Sequence, residues 1–330
     1  MVESFGAMLR RLREAAGYSQ SQFARRVPIS QASLSRYERG LQGVDRRMAD
    51  RLDEMLKANG VLRKLVPGDA VSVLTADDRA RIAYGMAHPS RIDSAAVSAL
   101  ADVLAAQRRL DDTLGPRLIL DATLAQEATV KQILRGAGGP HRDALAEVAA
   151  EYTQFAGWLH AEVRNDGEAM RLLTEAEMLA DEVDNGTLAA QATNFKGWLA
   201  RQQRQPRAVV RWFLGAHHTP GAHAAQRVGD AAQAAQGYAE LGRRDDARGL
   251  LDVAGGLLDV AGRERPPSTA YWLTPTFQRL NIGLAHLSLR EYALAAEHLA
   301  TGLDGLPPDQ QGAEWSSEYQ EALATARAAS

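Results

Sequence analysis

Four residues close together in the chain carry side chains that can read the edges of DNA bases: Gln31, Ala32, Ser33 and Arg36. A glutamine can make two hydrogen bonds to adenine, an alanine can contact the thymine methyl group, and a serine accepts several bases. Arg36, one helical turn later, can reach guanine or a phosphate. This chemistry requires that the first three residues occupy the exposed first turn of a helix.

The flanking sequence predicts that helix as the second of a helical pair. Ser19 and Ser30 can each cap a helix start, and Pro28 between them cannot continue the first helix. Apolar residues at helical spacing predict the buried faces: Phe23, Ala24, Val27, Leu34 and Tyr37. Gly40 stands where a helix stop needs positive φ. Such a pair can place its second helix in the major groove; a helical hairpin that docks a protein is the alternative.

These motifs resemble the XRE family, the lambda repressor/Cro type of helix-turn-helix, over about residues 4–66. The family pattern is met by Ser19-Gln20, Phe23-Ala24, Ser30 and the run from Ser35 to Gly40. One departure is Pro28-Ile29 in the turn, where glycine is common in the family. The resemblance implies a five-helix DNA-binding domain in which Arg13 pairs with Glu38. Asp45 and Gly60 are predicted to bound a fourth helix that turns Met48, Leu52 and Leu56 inward.

Positive charge is concentrated in this segment. Residues 1–66 hold 13 Lys and Arg against 7 Asp and Glu, whereas the whole chain holds 38 against 41. The rest of the chain is therefore acidic. A basic domain joined to an acidic remainder concentrates the binding of DNA phosphates at the basic domain. The predicted phosphate contacts are Ser19, Gln20, Arg25, Arg46 and Arg47. The alternative role for Gln20 is to hold the side chain of Gln31 by a hydrogen bond.

Composition excludes several classes of protein. The chain has no cysteine, so disulfides and thiol chemistry are excluded, which fits a reducing compartment. We expect neither a signal peptide nor a membrane span, because the first residues lack an apolar core and no long apolar run occurs. We therefore expect a cytoplasmic protein that does not contact membranes.

The remainder of the chain predicts helices only, so the expected fold class is all-α. Breakers such as Gly115-Pro116 and Asn185-Gly186 recur between helical segments of about 14–24 residues. Helices are predicted at 94–114, at 116–136 and, as the last, at about 308–328. The predicted organisation is a DNA-binding domain at 1–66, a linker at 67–75 and a helical body at 76–330.

A repeated pattern within the body resembles degenerate tetratricopeptide repeats. The pattern has a small residue in the first helix, then a small, a bulky and a small residue 12, 16 and 19 positions later. The four copies begin at Gly157, Gly197, Ala235 and Asn281. Val209 in the second copy, and Asn281 and Glu297 in the fourth, depart from the pattern. The resemblance implies a TPR-like superhelix whose first helices line a concave face.

The concave face is the predicted ligand site. Amides at Gln154, Asn194 and Gln278 stand at equivalent positions of three copies and offer both a donor and an acceptor to a peptide. Trp158 and Trp198 offer flat apolar area, although packing between repeats is the alternative for both. The full predicted set is Gln154, Trp158, Asn194, Trp198, Arg201, Gln236 and Gln278.

An XRE-like domain joined to a TPR-like body resembles the RRNPP class of signal-responsive regulators. The resemblance implies a homodimer on a palindromic operator in double-stranded DNA, controlled by a small molecule or a short peptide. A constitutive repressor, whose body only dimerises or recruits a protein, is the alternative. A closed and partly apolar pocket favours the first hypothesis, and an open solvated groove favours the second.

Motifs of catalysis do not stand out in the sequence. Neither a phosphate-binding Walker loop nor a hydrolase or zinc-protease signature occurs. His217, His218 and His223 lack a carboxylate at ligand spacing, so no metal and no cofactor is expected. The acidic pair Asp111-Asp112 is interpreted as a solvated helix face. An adaptor or enzyme with a vestigial domain is disfavoured by the polar reading helix.

Overall fold

The computed structural model describes residues 5–27, 29–39, 46–58, 61–62, 74–267 and 270–330. The chain divides into two compact units, Met1–Ser72 and Val73–Ser330. Within the described residues both units are built from helices, in agreement with the predicted all-α class. Several predicted features lie outside the described residues: Pro28, Gly40, Asp45, Gly60 and the linker residues 67–73.

The described part of the N-terminal unit includes helices α1 (Phe5–Ala15), α2 (Gln20–Arg26), α3 (Gln31–Glu38) and α4 (Arg46–Leu56). Residues 61–62 are also helical, and the rest of the predicted fifth helix lies outside the described residues. The predicted apolar residues form the core, with Phe23, Val27, Leu34 and Leu52 fully buried. Ser19 and Ser30 cap α2 and α3 as predicted.

Gly6 fixes how closely α1 approaches α3. A Cβ atom at Gly6 would lie 2.5 Å from the carbonyl oxygen of Glu38 and 2.6 Å from that of Tyr37. These backbone oxygens cannot move independently, so only glycine permits this approach. The approach carries Arg13 of α1 to Glu38 at the end of α3.

The C-terminal unit begins with three helices, α5 (Ala76–Ala87), α6 (Ser94–Leu114) and α7 (Pro116–Gly136). The predicted bounds of α6 and α7 are confirmed. Gly115 adopts φ 77° between them and Pro116 occupies the first turn of α7, where a missing N–H costs nothing.

Four helical hairpins follow. Their helices are α8 (Arg142–Glu162) with α9 (Asp166–Glu182), α10 (Gly186–Gln202) with α11 (Pro206–His218), α12 (Ala224–Glu240) with α13 (Arg244–Ala261), and α14 (Pro275–Ser288) with α15 (Tyr292–Asp304). Each hairpin turns through three residues, and the middle residue has positive φ: Arg164, Arg204, Gly242 and Arg290. The hairpins therefore repeat one local geometry.

The small residues of the first two copies make the predicted close contacts. A Cβ atom at Gly157 would lie 2.9 Å from Leu173, and one at Gly197 would lie 2.9 Å from Phe213. Ala169, Ala176 and Ala216 are buried beside them. The small and bulky residues at 12-, 16- and 19-residue spacing therefore do position the two helices of each hairpin.

The predicted register of the fourth copy was wrong by two residues. Gly283, not Asn281, makes the close contact, because its Cβ would lie 2.6 Å from Leu299. Ala295 and Leu299 are fully buried, whereas Glu297 is exposed. Gln278 therefore lies five positions before the small residue, not three, and is not equivalent to Gln154 and Asn194.

The chain ends in two helices, not the single predicted one. Helix α16 (Pro308–Gln311) is short, a 3₁₀ turn follows at Glu314–Ser316, and α17 (Ser317–Ala329) completes the unit. Gly312 interrupts the pattern after α16. The interruption brings Trp315 against Phe277 of α14, with ring centroids 5.5 Å apart.

Candidate functional site

The reading surface lies on the first turn of α3. Gln31 is exposed, and its Oε1 accepts a hydrogen bond from Ser21 Oγ at 2.9 Å. Ser33 Oγ lies 2.8 Å from Ser30 Oγ, and Arg36 Nη2 lies 3.4 Å from Ser33 Oγ. The side chain of Ala32 lies outside the described residues. Ser33 and Arg36 thus lie together beside the cap of α3, whereas Gln31 is held by Ser21 of α2.

The predicted phosphate contacts have different surroundings. Ser19 caps α2 through the N–H of Gln22, and Arg25 is exposed. Gln20 donates to Glu38 Oε2 at 2.8 Å, so the hypothesis that it braces Gln31 was wrong, and Ser21 has that role. The side chains of Arg46 and Arg47 lie outside the described residues.

A buried ion pair joins α1 to the end of α3. Arg13 donates to both carboxylate oxygens of Glu38, at 2.5 and 3.0 Å, and to the carbonyl oxygen of Tyr18 at 2.6 Å. The hydrogen bonds to Glu38 raise the pKa of Arg13 above its ordinary value. The expected Arg13–Glu38 pair is confirmed, and it fixes the end of the reading helix.

We expect Gln31→Ala to weaken binding to a selected operator by about 1–3 kcal/mol and to relax the preference at one base pair. The change removes an exposed side chain and leaves the cap of α3 in place. Competition binding against operators altered at each position measures both effects. Gln203→Ala, at an exposed position of the other unit, is the matched control. Unchanged affinity and unchanged base preference in Gln31→Ala would contradict the prediction that Gln31 contacts a base in the major groove.

The C-terminal unit contains a partly enclosed cavity of about 850 Å³, including its open mouth. Helices α6, α8, α10, α12, α14, α16 and α17 line it, together with the turns around Tyr271 and Trp315. Four of the five tryptophans of the chain face it: Trp158, Trp198, Trp272 and Trp315. Six amides contribute polar groups: Asn194, Gln226, Gln233, Gln278, Asn281 and Gln310.

Aromatic rings form two continuous walls of this cavity. Trp158 lies 5.0 Å from Trp198 and 4.7 Å from Phe195, measured between ring centroids, and Phe195 lies 6.3 Å from Trp272. A second group joins Phe277, Trp315 and Tyr319 at 5.5–6.4 Å. Such walls supply a large apolar area at low entropic cost.

The end of α6 places an arginine and two acids in the cavity. Arg108 is buried, and its guanidinium lies 4.9 Å from the ring centroid of Phe155 and 5.5 Å from that of Trp272. It donates to Gln154 Oε1 at 2.5 Å and to the carbonyl oxygen of Glu151 at 3.1 Å. Burial lowers its pKa to about 10, so Arg108 stays charged near neutrality.

The interpretation of Asp111-Asp112 as a solvated face was wrong, because both side chains are buried. Asp111 Oδ2 accepts from the indole Nε1 of Trp158 at 3.1 Å. Asp112 accepts from the hydroxyl of Tyr271 and from Trp315 Nε1 at 3.0 Å. The two acids therefore position three aromatic side chains that come from three separate parts of the unit.

Asp111 faces a second carboxyl group, that of Glu162. The two carboxyl groups act on each other, and neither Asp111 Oδ1 nor Glu162 Oε2 has a hydrogen-bond partner among the described residues. Burial raises the pKa of Asp111 to about 7 and raises that of Glu162 well above its usual range. Burial therefore favours protonated carboxyl groups in this pair near neutral pH.

A further acid, Asp230, lies behind the cavity wall and is fully buried. Its Oδ1 accepts from Asn194 Nδ2 at 2.6 Å and from Gln226 Nε2 at 2.9 Å, whereas its Oδ2 has no donor. Burial raises its pKa to about 8. The protonated form thus predominates at neutral pH, which avoids an isolated buried charge.

The seven predicted ligand residues divide into two groups. Trp158, Asn194, Trp198 and Gln278 line the cavity. The other three are buried behind it: Gln154 accepts from Arg108, Arg201 donates to Gln233 and Glu318, and Gln236 donates to Glu240. The sequence analysis missed Arg108, Asp111 and Asp112, and their only local signal was the charge of adjacent residues in one helix.

Other kinds of site are not apparent in the described part of the chain. No group of three metal-ligating side chains comes together there, and His217 is held by the carbonyl oxygen of Arg227 at 2.9 Å. No described helix combines the length and the apolar character needed to span a bilayer.

Comparison with known proteins gives one match. Residues 4–66 match the family model described as a helix-turn-helix domain. The N-terminal unit is a helix-turn-helix domain. This match supports the XRE-type resemblance and indicates a DNA-binding regulator. Neither the curated proteins nor the solved structures contain a match to the chain.

Proposed function

We propose that the chain is a sequence-specific transcriptional regulator whose affinity for DNA is controlled by a small molecule or short peptide bound in the C-terminal cavity. The observation that carries this proposal is the cavity itself, with its aromatic walls and its polar groups at Arg108, Asp111 and Asp112. A pocket of this kind, largely apolar with a few convergent polar groups, is typical of ligand sites.

The buried charges favour ligand control over a purely structural body. A buried acid costs stability unless it is well paired, and an apolar core of the same volume is often more stable. The cavity nevertheless holds Asp111 and Asp112 beside Arg108. Perturbed titratable groups in a cleft support a functional site. The constitutive repressor remains the alternative, and it requires no such groups.

The four hairpins support the TPR-like interpretation of the body. They share the same turn geometry and the same small-to-bulky contacts, at Gly157, Gly197 and Gly283. In such stacks the first helix of each hairpin lines the concave surface, and α8, α10, α12 and α14 all contribute to the cavity. We therefore propose that the cavity belongs to the concave side of a TPR-like superhelix.

We further propose that the protein acts as a homodimer on a palindromic operator. One reading helix contacts too few base pairs for useful specificity, and two domains reach half-sites about 34 Å apart. We expect the mass of the full chain by light scattering at micromolar concentration to be twice 35.7 kDa. A monomeric mass both with and without operator DNA would contradict this prediction.

Trp198→Ala tests ligand control. Trp198 lies on the cavity wall and is half-buried, so we expect this change to leave operator affinity within about twofold of wild type. The response to the natural signal should disappear. A tenfold change in operator affinity corresponds to about 1.4 kcal/mol of coupling between ligand and DNA. The loss of one aromatic contact with the ligand can remove an interaction energy of this size.

Operator titrations with and without a low-molecular-weight extract of the source cells measure this response. The matched control is Trp212→Ala, because Trp212 is half-buried in α11 and does not line the cavity. A wild-type response in Trp198→Ala would place the signal site elsewhere. If wild type itself never responds, the constitutive repressor becomes the better account.

A further inference from the structure

We propose that the cavity selects organic cations, protonated amines or quaternary ammonium groups on an apolar body, with Asp111 as the anionic anchor backed by Glu162. The inference deepens the proposed function, since it names the chemical class of the signal. It rests on three observations: the charges around the cavity, the unpartnered oxygens of the carboxyl pair, and the arrangement of the aromatic rings.

The charges around the cavity leave an excess of acid. Asp111, Asp112 and Glu318 line it, and Arg108 is the one cationic side chain among the described lining residues. Glu318 is neutralised by Arg201, whose Nη2 lies 2.9 Å from Glu318 Oε2. Asp111 and Asp112 then remain beside Arg108 in the described lining, so acidic side chains outnumber cationic ones there.

The carboxyl pair offers a place for a positive group. Asp111 Oδ1 and Glu162 Oε2 are buried and have no donor from any other described side chain or from the backbone. Asp111 is 7% exposed and lines the cavity, whereas Oδ1 itself is closed to solvent, so a ligand reaches this oxygen only after the side chain moves. An ammonium group that then lies beside Asp111 favours the ionised carboxylate, and a proton held by the pair leaves to solvent.

The aromatic rings complete the site. A cation is stabilised over the face of an indole or phenyl ring, and most strongly where water is excluded. Trp158 donates its Nε1 to Asp111 and lies against Phe195 and Trp198. This arrangement brings an acid and several aromatic rings to the same end of the cavity, which suits a cationic head attached to an apolar body.

Arg108 is the counter-argument, because it could bind a carboxylate ligand. Its Nη2 is already used by Gln154 and Glu151, and its planar face is covered by Phe155 and Trp272. Its Nε remains without a partner. Acidic side chains outnumber Arg108 among the described lining residues, so we favour the cation and make binding of an anion an outcome of the test.

Three naphthalene compounds that differ only in the end group provide the test: 2-(1-naphthyl)ethylamine, 1-naphthaleneethanol and 3-(1-naphthyl)propanoate. We expect calorimetry on the full chain at pH 7 to show the amine binding roughly tenfold or more tighter than the alcohol. The propanoate should bind weakest. Titrations in phosphate and Tris, which differ in ionisation enthalpy, should show release of up to one proton with the amine only.

The pH dependence of amine binding follows from the titration of the Asp111–Glu162 pair. Arg108, Asp112, Tyr271 and Glu314 are the other titratable groups that act on Asp111 or Glu162, and the first three lie in the cavity wall. Burial and Asp112 raise the pKa of Tyr271, so it stays protonated. Amine affinity should therefore rise between pH 6 and pH 8, while alcohol affinity stays constant.

Isosteric variants separate charge from packing. Glu162→Gln keeps a donor opposite Asp111 and should retain amine binding with less proton release than wild type. The double change Asp111→Asn with Glu162→Gln removes the charge and should abolish the preference for amine over alcohol. Asp102→Asn, at an exposed position of the same helix, is the matched control. If the double variant also fails to bind the alcohol, its cavity is damaged. The number of protons released when the amine binds to Glu162→Gln then tests the cation site instead.

The outcomes distinguish this inference from the proposed function. Equal or tighter binding of the alcohol or the propanoate overturns the cation site, as does an absence of binding by all three compounds. Selective amine binding that leaves operator affinity unchanged retains the cation site and contradicts ligand control of DNA binding.

Discussion

Arg13→Ala is expected to unfold most of the helix-turn-helix domain at room temperature. The change leaves the Glu38 carboxylate, whose side chain is 2% exposed, without its guanidinium partner. Removing one member of a buried pair costs about 3–5 kcal/mol. A domain of this size has a total free energy of unfolding of roughly 3–9 kcal/mol. The loss therefore consumes most of the stability of the domain, and operator binding should disappear with it.

Calorimetry of the full chain checks this result, because the two units can unfold in separate transitions. We expect Arg13→Ala to lower or abolish the transition of the N-terminal unit only. Arg10→Ala is the control, since Arg10 makes an exposed ion pair with Glu14 one turn away, which contributes a few tenths of a kcal/mol. If Arg13→Ala unfolds at the wild-type temperature, the Arg13–Glu38 pair does not stabilise the reading helix.

Asp230→Asn is expected to stabilise the C-terminal unit strongly at high pH. The pKa of Asp230 is about 8 in the folded protein and has an ordinary value of 3.8. Between these values the folded state holds a proton that the unfolded state has lost, so the free energy of unfolding falls as the pH rises. Above pH 8 the accumulated loss is about 6 kcal/mol, at about 1.4 kcal/mol for each pH unit. Asparagine removes this loss.

Urea unfolding of the C-terminal unit at pH 5 and pH 9 measures the difference. We expect wild type to lose several kcal/mol more than Asp230→Asn over this range, whereas the Asp111–Glu162 pair contributes equally to both proteins. Asp252→Asn, at an exposed position of α13, should behave as wild type. Equal pH dependence in wild type and Asp230→Asn would show that Asp230 is ionised when folded.

Helix boundaries were predicted correctly where the residues at the boundary itself determine them. Gly115-Pro116 defined the junction of α6 and α7, because glycine supplies the positive φ and proline starts the next helix. Ser19 and Ser30 predicted the starts of α2 and α3 for the same kind of reason. The fourth hairpin was misaligned because Asn281 was taken for the small residue, although Gly283 and Leu299 satisfy the same spacing better.

The cavity could not be predicted in the same way. Asp112 receives hydrogen bonds from Tyr271 and Trp315, which are 159 and 203 residues away in the chain. A single sequence carries no record of such contacts, so adjacent acids in a helix look solvated. Trp158 and Trp198 were identified because they recur at one position of the repeat, whereas Trp272 and Trp315 lie outside the repeated hairpins.

The most direct test of ligand control is the affinity of the full chain for its selected operator, measured with the cavity empty and with the cavity saturated. Tryptophan fluorescence reports occupancy, because four indoles line the cavity. Binding-site selection from random DNA supplies the operator, and the purified signal supplies the ligand. We expect the two dissociation constants to differ by about tenfold or more, which is about 1.4 kcal/mol of coupling. Equal dissociation constants at full occupancy would contradict ligand control of DNA binding.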